Sequence, residues 1–105
     1  MQTVKNHVTL IGNMGNDAQI TNFDNGGKVA RFSLATDKYL NKDKSNDPIW
    51  HRVFAWGNLA QFIESYGKKG KKLAIHGRLV NRTYLNKDGK ERKVTEVEVQ
   101  HLIGL

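Results

Sequence analysis

The sequence predicts a small all-β barrel carrying one short helix. Three observations lead there. Stretches rich in β-branched and aromatic residues recur along the chain, each bounded by turn-forming residues. One stretch past the middle switches to helical spacing. At 105 residues the chain has the usual size of a single domain and can bury a real core.

The first strand is expected at 4–12 (VKNHVTLIG), and a shorter extended piece at 18–23 (AQITNF). The turn DNGG joins that piece to a second long strand at 27–36 (GKVARFSLAT), with Asn25-Gly26 as a strong hairpin signal because both residues tolerate positive φ. The third strand is 49–56 (IWHRVFAW). In 58–66 (NLAQFIESY), Leu59, Phe62, Ile63 and Tyr66 fall at i, i+3, i+4 and i+7, a helical stripe. Asn58 is placed to cap its start and Gly67 to stop it. Strand character returns at 72–85 and 92–103, with NKDG at 86–89 turning between them. Numerous short strands suggest a barrel or sandwich, and one helix between the third and fourth strands matches a five-stranded Greek-key barrel, the OB-fold. The whole chain, 1–105, reads as one such domain with no repeat and no C-terminal linker.

Seventeen Lys and Arg against ten Asp and Glu give a formal net charge of +7, which favours anionic partners, nucleic acid or an acidic membrane surface. The absence of cysteine excludes disulfides, thiolate zinc sites and cysteine nucleophiles. No apolar run approaches the ~20 residues that span a bilayer, and the first residues carry no signal-peptide core. A cytoplasmic protein of a bacterium, plasmid or phage is expected, with no membrane partner.

Function is written most plainly in 49–57, IWHRVFAWG, which holds both tryptophans. In a strand, Trp50, Arg52, Phe54 and Trp56 share one face, while Ile49, His51, Val53 and Ala55 share the other. The second set suits an interior. The first suits stacking against the bases of single-stranded nucleic acid, worth roughly 1–3 kcal/mol per base, with arginine able to stack or to grip phosphate. Tyr84 and Arg82, on the strand entering the NKDG hairpin, extend the same chemistry. Packing beneath a helix or against a subunit would place the same aromatics equally well.

The densest positive run is KKGKK, with Lys68, Lys69, Lys71 and Lys72 and no acid. Its position after the helix also complements the helix dipole. The hairpin adds Lys87, Lys90, Arg92 and Lys93 against Asp88 and Glu91. In the loop 37–47, Asp37, Asp43 and Asp47 cancel Lys38, Lys42 and Lys44, leaving a solvated flap that carries Tyr39. Catalysis finds no support. His7, His51, His76 and His101 lack metal-ligand spacing. Glu96 and Glu98 read as a solvated edge, and GNMGN at 12–16 lacks the lysine and helix of a phosphate loop. No cofactor is expected.

From NHVTLIGNMGNDAQI through NGGKVARFSLAT and WHRVFAWGNLA to KVTEVEV, nearly the whole chain resembles the bacterial single-stranded DNA-binding proteins. The resemblance implies an OB-fold that assembles as a homotetramer and wraps single-stranded DNA without sequence preference during replication, recombination or repair. It implies base stacking by Trp50, Trp56 and Tyr84, and a place in subunit assembly for His51; His7 is a second interface candidate. The family puts a further aromatic in 37–47, where this chain has Leu40 with Tyr39 beside it. The flexible, acidic-tipped C-terminal tail that recruits replication enzymes in the family has no counterpart here, so recruitment is not implied. A tail-less dimeric relative, primosomal replication protein N, stays open as an alternative. So do an OB module that binds a protein through its aromatic face, and an RNA chaperone.

Overall fold

The computed structural model describes residues 5–36 and 48–105. The strands are β1 (Val8–Met14), β2 (Gln19–Asn22), β3 (Lys28–Thr36), β4 (Ile49–Trp56), β5 (Lys72–Leu85) and β6 (Glu91–Gly104), with one helix, α1 (Gly57–Tyr66), between β4 and β5. They form one sheet in the order β1-β5-β6-β4-β3-β2, and a further β1–β3 pairing closes it into a ring.

Six segments make a five-stranded barrel because β1 and β2 are two halves of one bent strand. Both pair antiparallel with β3, through Asn13↔Ala35 and Met14↔Leu34, then from Gln19↔Arg31 onward. Between the halves the Asn16 side chain accepts from Ser33 N at 2.9 Å, in place of a ladder bond, and Gly15 N donates to Ser33 O at 2.9 Å. The ring also needs one parallel pairing, β4 with β6, at Val53↔Val97 and Phe54↔Glu98.

The first strand starts later than its composition suggests. Asn6 pairs both backbone groups of Leu79 through its own side chain, donating to Leu79 O at 3.0 Å and accepting from Leu79 N at 2.8 Å. A side chain thus does there what a strand residue would do with its backbone. At its other end β1 continues through Met14, which is buried in the core.

The core joins Ala30, Phe32 and Leu34 of β3, Val53 and Ala55 of β4, Leu73 and Ile75 of β5, and Val97 and Val99 of β6. Ala60 and Ile63 of α1 plug one end of the barrel, each 0% exposed. Helical spacing is right but the stripe is rotated: Phe62 lies outside, stacked on Tyr66 at 5.3 Å between centroids. The cap also differs. Trp56 occupies the N-cap position without a side-chain bond, and Asn58 lies inside the helix. Gly67 does end it, its N–H donating to Ile63 O at 2.6 Å where a Cβ would sit 2.5 Å from that oxygen. The buried, alternating part of β5 ends at Gly77, beside a register shift, and residues 81–85 are exposed in a long hairpin with β6.

Candidate nucleic-acid interface

Strand β4 turns Trp50, Arg52 and Trp56 outward and Val53 and Ala55 inward. Trp50 and Trp56 are 57% and 47% exposed. The remaining positions depart from strict alternation. Ile49, at the open strand end, is exposed, and His51 is half-buried with Nε2 3.0 Å from Thr36 Oγ1. Burial holds the His51 pKa below its ordinary value. Phe54 lies on the outward face but is only 7% exposed. The Arg31 guanidinium covers its ring at 5.1 Å, and Trp56 meets it edge-on at 6.2 Å between centroids.

Cross-strand register explains this covering. Arg31 stands opposite Phe54, Ser33 opposite Arg52 and Ala35 opposite Trp50, so the β3 residues share the aromatic face. Trp50 is held by the break between β1 and β2: a Cβ on Gly15 would lie 2.2 Å from Cζ3 of its indole. Only a residue without a side chain lets that ring approach the backbone so closely. Trp56 has a second aromatic neighbour in Phe23, 6.1 Å away and 43% exposed, at the entry to the 24–27 turn. Phe23 and Arg31 were not evident from the sequence because both join the site through the pairing of β3 with its neighbours β2 and β4, which a single segment does not reveal.

The buried heart of the face is Glu96, 4% exposed. Arg31 Nη1 donates to both its oxygens at 3.2 and 3.1 Å, and Arg82 donates through Nε at 3.3 Å and Nη2 at 3.0 Å. Burial works to raise the Glu96 pKa, but the bonds from Arg82 and Arg31 prevail and hold it below the ordinary carboxylate value. The expected solvated edge is therefore wrong at Glu96, because β6 carries it against two arginines of other strands. Glu98 also pairs, accepting from Arg78 Nε at 2.8 Å. Arg82 in turn lies 5.8 Å over the Tyr84 ring.

Two shallow clefts meet at Arg52. One, of about 340 Å³, is floored by Arg31, Ser33, Arg82 and Glu96. The other, of about 490 Å³, lies between Trp50 and Tyr84 with His51 and Lys93 on its wall. A track runs from Phe23 and Trp56 over Phe54, Arg31, Glu96 and Arg82 to Tyr84, with Trp50 across the second cleft. Its components are flat rings, guanidinium planes and cations.

The remaining sequence candidates are distributed around this track. Arg92 pairs in register with Tyr84, and Lys87 and Lys90 lie at the hairpin end. The lysine run is tied to the corner beneath Trp50: Met14 N donates to Lys71 O at 2.8 Å, and Lys69 N donates to Asp17 Oδ1 at 2.8 Å. Lys71 extends over Tyr66 at 5.3 Å, while Lys68 and Lys72 are exposed. Tyr39 and Leu40 lie outside the described residues. His7 and His51 are not brought together. His7 instead meets His76 at 4.1 Å, and His76 stacks on His101 at 5.6 Å, on the outer side of β1, β5 and β6. The same side exposes Ile11 and Ile103. No helix among the described residues is long and apolar enough to cross a membrane, and none of their His, Asp and Glu groups is arranged to hold a metal ion.

Comparison with known proteins agrees with this geometry. The model of the Single-strand binding protein family matches residues 5–104. A single-stranded DNA-binding protein of Bacteroides thetaiotaomicron is 36% identical over 102 residues, covering 92% of this chain and 63% of that protein. The chain thus spans less than two thirds of the length of this curated relative.

Proposed function

The chain belongs to the single-strand binding protein family, and on that premise we propose that it binds and protects single-stranded DNA without sequence preference, as a binding protein rather than an enzyme. The observation that supports this most is the exposed track of Trp50, Trp56, Phe23 and Tyr84 interleaved with arginines. Stacking and phosphate contact read no base edges, so any unpaired strand serves. Duplex DNA binds far more weakly, because its bases already stack on one another. The single OB domain, 1–105, carries this activity within replication, recombination or repair in a bacterial cytoplasm.

The assembly proposed is a homotetramer. Supporting it is the outer side of β1, β5 and β6, where register places Ile11, Ala74 and Ile103 in one row and Thr9, His76 and His101 in the next. Ile11 and Ile103 are 55% and 64% exposed there, an apolar surface suited to covering by another copy.

The test is intrinsic tryptophan fluorescence during titration with oligo-dT. OB-folds cover about 4–16 nucleotides each, so an oligomer of about 60 saturates four subunits. Strong quenching with a sharp plateau is the expected result, and the plateau ratio gives the subunits per strand. A flat signal moves the aromatic face to a protein interface.

A further inference from the structure

Three arginines lie along the two clefts, and the structure treats them differently. Arg52 makes no ion pair among the described residues. Arg31, through Nη1, and Arg82, through Nε and Nη2, both donate to one carboxylate, Glu96, which is itself almost fully buried. Each of the two also lies over a ring, Arg31 over Phe54 and Arg82 over Tyr84. Both guanidinium groups are nevertheless 40% or more exposed along their side chains, so a surface of each remains open.

A guanidinium binds a phosphate through the donor edge that it would also use for a carboxylate. Here Glu96 takes the Nε/Nη2 edge of Arg82 and one terminal nitrogen, Nη1, of Arg31, so neither can turn that side to a phosphate while the pairing holds. The pairing also fixes the plane of each guanidinium, so that each offers a flat face suited to a base. We infer that Glu96 is a positioning residue for strand binding: it offsets one of the two positive charges of Arg31 and Arg82 and fixes both groups as stacking planes, leaving Arg52 to contact phosphate in this part of the groove. Phe54, Arg31, Glu96, Arg82 and Tyr84 then form one preorganised floor across four strands, β3, β4, β5 and β6. This role rests on the single-stranded DNA reading proposed above.

Salt dependence separates stacking from phosphate contact, because each phosphate neutralised adds roughly −0.7 to the slope of log affinity against log salt for a single strand. The experiment is oligo-dT binding across a salt series for the full chain and three variants, with thermal melts to verify folding. Glu96→Gln removes the charge that holds the Arg31 and Arg82 donors, and the slope steepens by about 0.7 to 1.4, one or two added phosphate contacts. Arg82→Gln weakens binding at every salt concentration while the slope stays within about 0.3 of the parent. Arg52→Gln flattens the slope by about 0.7.

A Glu96→Gln variant that binds with the parental slope overturns the inference, whether its affinity falls or not, since a merely structural role shifts the line without tilting it. Should that variant fail to fold, Arg82→Gln decides alone: a slope flattened by about 0.7 means that Arg82 grips phosphate, and the inference fails. If the parent chain itself does not bind oligo-dT, the DNA reading falls, and that result is distinct from parallel salt lines in a chain that binds.

Discussion

Trp56 and Phe54 sit two residues apart on one strand face, yet they do different work. Trp56 is exposed and has Phe23 beside it, whereas Phe54 is roofed by Arg31. Trp56→Ala is therefore expected to weaken oligo-dT binding by about 1–3 kcal/mol with little change in melting temperature. Phe54→Ala should chiefly destabilise the fold, by about 3–5 kcal/mol if its site does not collapse, as chemical denaturation would show. Equal affinity for Trp56→Ala and the parent would remove that ring from the platform. Gly15 offers a subtler test. A methyl there collides with the Trp50 indole, so Gly15→Ala displaces the ring. The expected signature is a shifted Trp50 emission in the free protein and weaker quenching by DNA, while the far-ultraviolet spectrum keeps its strand signal. At this scale the outward placement of both tryptophans was readable from the residues of β4, whereas the burial of Phe54 was not. Nor was Phe23, because nothing local says that the end of one short strand lies against the end of another.

Among the elements, the helix and the lysine loop show how function is attached to the barrel. Ile63 closes one end of the core with no exposed surface, and Ile63→Ala should cost about 2–5 kcal/mol in denaturant unfolding. The loop that follows is anchored by backbone bonds to Met14 and Asp17, which leaves its lysine side chains free to vary. Charge reversal at Lys68 and Lys69 should lower affinity for all sequences alike and flatten the salt slope by roughly 0.7 per lost phosphate contact. An unchanged slope would make the run a solvated face. The third strand and the long penultimate strand were legible to the residue, since turn-formers bound them sharply. The helix period was legible too, but its rotation was not: Ala60, a residue with little hydrophobic signal, faces inward and has no exposed surface.

For the whole molecule, histidine links stability to pH. Burial lowers the His51 pKa, and desolvation together with the neighbouring His7 and His101 lowers that of His76. The unfolded chain then binds protons more readily than the folded one. Stability is full above the ordinary value of 6.5 and falls as pH drops from there through the lowered folded values. A melting temperature that declines below about pH 6.5, less steeply in His76→Gln, is the expected result. Glu96 acts in a separate window. Its folded pKa is lowered, so its contribution is lost only as pH falls below the ordinary carboxylate range. Assembly is tested at this scale as well. Ile103→Asp on the exposed outer face should reduce the mass seen in sedimentation, and an unchanged mass would mean that copies associate elsewhere.

The sequence by itself determined the local matters: a β-rich chain with one helix, the turns, an aromatic and arginine row on a strand, and a positive charge seeking an anion. Each depends on neighbours a few residues apart, so periodicity and composition carry it. Tertiary structure decided the rest. Ring closure through β1 and β3 made one bent strand of two segments and set Gly15 beneath Trp50, while the register of β3 with β4 set Arg31 above Phe54. It also turned Glu96 from a surface charge into the buried partner of two arginines, one 65 residues distant in sequence and the other 14. Such pairings arise only when strands meet in register, and register is a property of the closed barrel.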